Sequence, residues 1–383
     1  MGPPKVSVGI VTALAVESGA VRMVLKGPTE TMIPGDPNRY HVGRLPSAEP
    51  GAPHQVVTAV QAYDGTRGAA AICTDLLRSF PDVQLIIFTG IAAGVPRDAD
   101  HPVALGDIVV GRGLVDYGHV RLEKGHERLR RAVDGLSPVM LRADLELEVK
   151  ERSGQLPWRQ AMTSPGLPDA YARPREHGAE EGLARWPRVH RGPIGSADRL
   201  LNDTAARDAI GREHWLLALE MEGAGAAVAA HLHGRHRFVV RGVSDLGDED
   251  KNDHWRGYAA MAAAAYTRAL LAECRPFTHG PTARSARGGN EGLSAIVAVL
   301  LDIPAMRDDY QRRAIIAALP SRIRTTIPDN VIARLHVLSI VETCGRFPDG
   351  REALCAALQL ALGDDTPDVR HAEEILERFW PTI

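Results

Sequence analysis

Apolar residues in the first part of the chain recur in two alternating rhythms. Short runs of β-branched and aliphatic residues mark candidate strands at Val6–Leu14, Gln55–Gln61, Val83–Thr89, Asp107–Gly111, Val189–Gly195, Leu216–Leu219 and Phe238–Val243. Between them, helical patterns predict Val16–Leu25, Thr66–Ser79, Ala205–Arg212, Glu222–His233 and Gly257–Glu273. Strands separated by helices of this length imply βαβ units, hence an α/β fold with a mostly parallel central sheet flanked by helices. In such sheets ligands bind beyond the carboxyl ends of the strands, so that is where chemistry is expected.

The alternation breaks from about Glu123 to Arg188, a stretch rich in Arg, Pro and Gly with a helix-like run at Leu141–Arg152. A loop that long ordinarily serves as a lid, a binding insertion or an interface. A polar Pro/Gly/Ser stretch over 276–290 reads as a flexible linker. Beyond it the period is helical throughout, predicting helices at Glu291–Leu301, Ala305–Ala318, Asn330–Thr343, Gly350–Leu362 and Asp368–Phe379, with prolines at their boundaries. The expected organisation is an α/β domain over 1–275, the linker, and a small all-α bundle over 291–383.

Composition narrows the function classes. With 383 residues, 44% apolar and a net charge of -3, the chain can bury an ordinary core and has no basis for non-specific binding to nucleic acid or an anionic membrane. Arg128, Arg130, Arg131, Arg173 and Arg175 are interleaved with acids and read as a solvated face. The four cysteines form no CxxC pair, and Cys73 and Cys355 sit in apolar helical patterns as small buried hydrophobes. The histidines form no recognisable ligand set, so neither a metal nor another cofactor is expected. No apolar run reaches the ~20 residues of a bilayer span. The N-terminus enters a strand pattern at once, without a signal-peptide pattern, and a cytoplasmic protein is expected.

Three strand ends carry unusual residues. In VGIVTALAVES a buried strand runs into a helix with Glu17 in its first turn, where the helix dipole alone would favour a carboxylate. In FTGIAAGVP, Gly90 and Gly94 flank small residues and allow close approach to the backbone, without the spacing or lysine of a phosphate-binding P-loop. In LALEMEGAGAAVAA a strand ends in Glu220 and Glu222 around Met221; the following FVVRGVSDLGD passes Arg241 and ends at Ser244 and Asp245. Acids at the ends of neighbouring strands are costly core elements and sensible site elements. Glu220 and Arg241 fit equally an ion pair stapling adjacent strands and a support for a site.

VGIVTALAVE, TGIAAG, LGDIVVG, IGSADRLLND, EMEGAG and VRGVSDLGD, in that order, resemble the nucleoside phosphorylase/nucleosidase superfamily, and most closely its methylthioadenosine/adenosylhomocysteine nucleosidase branch. The likeness covers residues 5 to 274 apart from the insertion. It implies cleavage of the N-glycosidic bond of a purine nucleoside or nucleotide by water. Carried over by position, it makes Glu17 the base on the attacking water and Glu222 the acceptor for the ribose hydroxyls. Met221 packs under the sugar. Asp245 becomes the acid that protonates N7 of the departing purine, with Ser244 beside it, while Gly90 and its loop, including Ile91, wall the ribose and base. One carboxyl protonated and another ionised suits glycosidic cleavage, and burial of Asp245 is expected to favour its protonated form.

PGDPNR, Pro34 to Arg39, resembles the phosphate-binding turn of the phosphorylase branch, yet it stands before YHVGRL and reads as a turn opening a strand, so Arg39 is set aside as a phosphate ligand. Ile91 replaces a serine of some relatives, and the insertion lies between strands that frame the base and the 5′ end; both leave the 5′ substituent open. Arg67, at a helix start, could meet a 5′-phosphate or simply face solvent. A phosphate-dependent phosphorylase and a catalytically silent nucleoside sensor remain alternatives. The resemblance also implies at least a dimer. From roughly Glu291 onward the chain is similar to the helical effector-associated domains of bacterial conflict systems, implying an adaptor for a protein partner; the amphipathic pattern alone fits an oligomerisation domain as well.

Overall fold

The computed structural model describes residues 4–96, 102–123, 126–129, 132–133, 136–174, 186–249, 251–277, 295–324, 326–327, 333–345, 347, 349–363 and 366–380. The chain divides into two compact units, Met1–Thr278 and His279–Ile383. Most of the stretch expected to be a linker lies outside the described residues.

In the first unit, β1 (Val8–Thr12) leads into α1 (Ala15–Val24), followed by β2 (Lys26–Met32), β3 (Arg39–Leu45), β4 (His54–Val60), α2 (Gly65–Ser79), β5 (Leu85–Gly94) and β6 (Ile108–Asp116). The insertion contributes β7 (Val120–Glu123), β8 (His126–Leu129), β9 (Ala132–Val133), α3 (Pro138–Arg152) and α4 (Arg159–Met162). Then come β10 (Val189–Ser196), α5 (Thr204–His214), β11 (Ala218–Glu220), α6 (Gly223–Leu232), β12 (His236–Asp245) and α7 (Arg256–Ala272). The main sheet runs β11-β10-β6-β12-β5-β1-β4-β3-β2, and β11 also pairs with β5, closing one end of the sheet on itself. β4, β1, β5 and β12 are parallel neighbours, whereas β6 meets β12 antiparallel and β11 meets β5 antiparallel.

The parallel strands are apolar because both faces are covered: every residue of β1 is buried, as are Leu85–Gly90 of β5. Two strands run further than their apolar cores suggest. β5 continues through the TGIAAG loop because β12 and β11 pair with that stretch from either side. β6 continues past Gly111 to pair with β10 as far as Asp116. The PGDPNR turn joins β2 to β3, and in it the Asp36 carboxylate accepts from Asn38 N at 2.9 Å and Tyr40 OH at 2.7 Å.

Part of the insertion is core rather than lid. α3 buries Met140, Ala143, Asp144 and Leu147. Asp144, fully buried, accepts from Tyr266 OH at 2.6 Å and Arg191 Nε at 3.2 Å and pairs with Arg112 at 2.6 Å. A carboxylate can be this deep only because two guanidiniums and a phenol meet it. Residues 175–185 of the expected insertion lie outside the described residues.

The second unit is helical: α8 (295–302), α9 (Pro304–Arg307), α10 (Asp309–Ala318), α11 (Ser321–Arg324), α12 (Ala333–Cys344), α13 (Gly350–Leu362) and α14 (Pro367–Phe379). The helix expected over Ala305–Ala318 is two, because the Asp308 side chain accepts from Gln311 N and caps a fresh start. Ile296, Leu300, Met306, Ile340, Leu358 and Leu376 form its core. Arg312 is buried with them and satisfied by Met306 O at 2.9 Å, Asp309 at 2.7 Å and His336 Nδ1 at 3.0 Å.

α7 lies close against β12, and a Cβ on Gly242 would overlap the Ala259 carbonyl. Gly242→Ala is expected to destabilise the protein by about 2 kcal/mol or more through overpacking, read as a lower urea midpoint; an unchanged midpoint would mean that α7 shifts freely.

Candidate active site

The Glu17 carboxylate stands in the first turn of α1 and is 2% exposed. Its Oε2 accepts from Ala13 N at 2.7 Å and Leu14 N at 2.8 Å, which is half of a helix-capping box. Its Oε1 turns the other way and accepts from Ile91 N at 2.7 Å, on the extended part of β5. Glu17 is thus both a helix cap and a group delivered to the end of β5. Burial raises its pKa, against the pull of Arg241 and of the three backbone donors.

Gly90 makes that delivery possible. A Cβ there would overlap Glu17 Oε1 and lie 2.5 Å from Arg241 Nη1. Arg241, directly opposite Gly90 on β12, has no exposed surface, and its guanidinium lies 4.9 Å from the Phe88 ring centroid. It pairs through Nη2 with Glu220 and lies 3.9 Å from Glu222 Oε2. Its Nε and Nη1 have no hydrogen-bond partner among the described residues. The ion pair weighed from sequence therefore exists, and it leaves unused donors beside Glu17.

The two glutamates of the EMEG element differ in their surroundings. Glu220 accepts from Gly223 N at 2.9 Å and Glu222 N at 3.2 Å besides Arg241. Glu222 accepts from Gly65 N and Met221 N, each at a longer 3.3 Å. Burial and the neighbouring Glu220 push its pKa up to about 7, with Arg241 opposing. Met221 between them is half-buried.

Ser244 and Asp245 stand further along the same strand pair. Ser244 donates to Asp245 Oδ2 at 2.8 Å and to Ala92 O at 3.4 Å, while Asp245 pairs in register with Ala93. Asp245 Oδ1 accepts from Gly247 N at 3.0 Å and lies 3.4 Å from Lys251 Nζ. Donors, rather than an apolar wall, surround this carboxyl. Residues 90–93 of β5 thus carry Glu17 at one end and Asp245 at the other. Arg67 stays apart, exposed on the first turn of α2. Two N–H groups of that helix start are already taken: Gly65 N by Glu222, and Thr66 N by Asp198 Oδ1 at 2.6 Å. Arg39 pairs at 3.2 Å with exposed Glu30 in the β2–β3 hairpin.

Residues 7–273 match the model of the phosphorylase superfamily. The chain belongs to that superfamily. Residues 297–377 match the model of effector-associated domain 2. Among curated relatives of this superfamily member, the ATP nucleosidase Cap17 of Escherichia coli strain KTE188 is 27% identical over 69% of this chain and 51% of its own. The 5′-methylthioadenosine/S-adenosylhomocysteine nucleosidase of Mycobacterium bovis is 27% identical over 70% of this chain and 96% of its own. A solved nucleosidase of the latter kind from Neisseria meningitidis shares the fold, with a TM-score of 0.50 at 20% identity over 69% of this chain and 98% of that one. The chain spans less than two thirds of the first curated relatives it matches, 30% of one and 51% of another.

Sequence reasoning undervalued Arg241, although a charge inside an otherwise apolar strand was its signal. It did not single out Asp198, whose partner Thr66 lies in a distant segment, or Lys251, which reaches back to Asp245. Gly90→Ala is expected to lower kcat/KM by about 100-fold by displacing Glu17 and Arg241 from each other. Near-normal turnover in the folded variant would remove Gly90 from the site.

Proposed function

We propose that the first unit hydrolyses the N-glycosidic bond of a purine nucleoside or nucleotide and releases the free base. The observation that carries this reading is the pair formed by Glu17 and the unpartnered Nη1 of Arg241 across Gly90. A water between them would be oriented by guanidinium N–H groups and deprotonated by Glu17. Glu222 accepts the ribose hydroxyls and its charge favours the oxocarbenium-like sugar; Met221 packs against the ring. Asp245 delivers a proton to N7 of the purine, with Ser244 fixing its orientation. Gly90 and Ile91 form the wall between these two ends, and Glu220 holds Arg241 in place.

Hydrolysis is favoured over phosphorolysis because Glu17 fills the position facing Gly90, and because Arg39 is engaged on a hairpin instead of a phosphate site. The retained acids at 17, 222 and 245 argue against a silent sensor. The match to an effector-associated domain, together with the kinship to Cap17, supports an effector in a bacterial defence system whose helical unit recruits a protein partner. Assembly to at least a dimer is part of this proposal, and light scattering of the purified chain would test it.

Incubated with purine nucleosides and nucleotides in phosphate-free buffer, the protein is expected to release free base, and Asp245→Asn to abolish release while ligand still binds. Base that appears only after phosphate is added would establish the phosphorylase alternative instead.

A pH profile provides a second check. Glu222, pushed up to about 7, and Glu17, also raised, must be ionised to work, and both hold protons at higher pH than an ordinary carboxyl. kcat/KM should therefore fall as pH drops below about 7, by roughly tenfold per unit at first and more steeply once Glu17 also takes up its proton. Full activity at pH 5 would contradict these roles.

A further inference from the structure

We propose that Gln61 is a further substrate-binding residue. Its side-chain amide donates to the ribose hydroxyls that Glu222 accepts from, which makes the site selective for a complete ribose. This rests on the nucleosidase reading above and extends it to the sugar. Gln61 directly follows β4 and is 6% exposed, and neither its Nε2 nor its Oε1 has a hydrogen-bond partner among the described residues. Buried side-chain polar atoms are ordinarily paired, and an amide left without partners is destabilising.

The strand registers place this amide. Val60 lies beside Thr12 and Val11 beside Phe88. Gln61 continues the first pairing by one step, its N–H donating to Thr12 O at 3.0 Å. Gln61, Ala13 and Gly90 therefore form one row, which Arg241 extends on β12. Residues level with one another on parallel strands point to the same face of the sheet. On that face a Cβ of Gly90 would overlap Glu17 Oε1 and lie 2.5 Å from Arg241 Nη1. The row thus carries a polar side chain at each end, with only a methyl and a hydrogen between them. The Glu17 carboxylate lies over that gap, held by Ala13 N and Ile91 N. Two interstrand steps of about 4.8 Å separate Gln61 from Gly90.

Gln61 also opens the connection that ends at Gly65, whose N–H donates to Glu222 Oε1 at 3.3 Å. The amide therefore belongs to the Glu222 end of the site, where the sugar is expected. Its chemistry complements that of Glu222. An ionised carboxylate only accepts, so a hydroxyl that donates to Glu222 keeps lone pairs for a donor, and a glutamine NH2 supplies one. Being neutral, it adds no charge to the three buried glutamates.

The test is the penalty for removing a hydroxyl. kcat/KM is measured on the full chain for adenosine, 2′-deoxyadenosine and 3′-deoxyadenosine, and for ATP and its 2′- and 3′-deoxy forms. Wild type should disfavour at least one deoxy compound by about 100-fold, since a site built to bond a hydroxyl rejects the analogue without it. Gln61→Met keeps the length of the side chain and removes both polar atoms. It should shrink that penalty by about tenfold, because the parent compound loses a bond that the deoxy compound never made. A merely structural role would lower turnover of parent and analogue alike. The urea midpoint of Gln61→Met should hold or rise, because an unpaired amide is gone. Parent and deoxy compounds cleaved equally by wild type would overturn the proposal without any variant. So would a folded Gln61→Met with wild-type penalties, the result expected if the amide meets only packing or a buried water. Base release from none of these compounds would instead overturn the nucleosidase reading, and this inference with it.

Discussion

A guanidinium with no exposed surface, set among three carboxyl groups, is the constraint on which the site depends. Arg241 could not be buried without a partner, since an uncompensated interior charge costs several kcal/mol. Glu220 supplies the partner and is itself held by the Gly223 and Glu222 N–H groups at the start of α6. β11 and β12 are therefore joined through side chains, although each pairs by backbone with β5. The small residues of the β5 end follow from the same demand. Gly90 provides clearance for Arg241 and Glu17, while on the opposite side of β12 Gly242 provides clearance for α7.

That arrangement divides labour between two glutamates only two residues apart. The acceptor capacity of Glu220 is spent on Arg241 and on the helix start, where the positive end of α6 also favours its charge. Ser196 Oγ takes the next N–H, that of Ala224, at 2.9 Å. Glu222, one turn of backbone away, is held only by two longer contacts and so keeps lone pairs for a ligand. The EMEG sequence reads as two equivalent acids. The fold makes one a support for Arg241 and leaves the other with acceptor capacity to spare.

How far sequence reasoning reached follows from what each feature depends on. The buried parallel strands and their helices were legible because apolar periodicity responds to burial alone. β2 was not: it is exposed along nearly its whole length and contains Gly27 with φ 62°, so no alternation marks it. The continuation of β5 through Gly94 was hidden because its small residues resemble a loop, and only pairing on both sides makes them a strand. Glu17, Glu222 and Asp245 stood out as acids at strand ends. Arg241 was visible but ambiguous, since an ion pair and a site support use the same residue. The contact of Asp198 with Thr66 joins segments 132 positions apart, and no local pattern encodes that.

Acids outnumber bases around Arg241. One guanidinium faces Glu17, Glu220 and Glu222; burial raises the pKa of Glu17, and burial together with the neighbouring Glu220 raises that of Glu222, with Arg241 opposing both. A ribosyl group developing positive charge at its anomeric carbon reverses the balance. In the proposed reaction it brings in the missing positive charge at the moment the bond to the purine lengthens, and the same burial that penalised extra carboxylates then strengthens their attraction to the sugar. Exposed carboxylates would hold their charge more easily but lose most of that attraction to water. A buried cluster of acids is therefore costly at rest, and in the proposed reaction its electrostatic stabilisation is greatest when the substrate is closest to a cation.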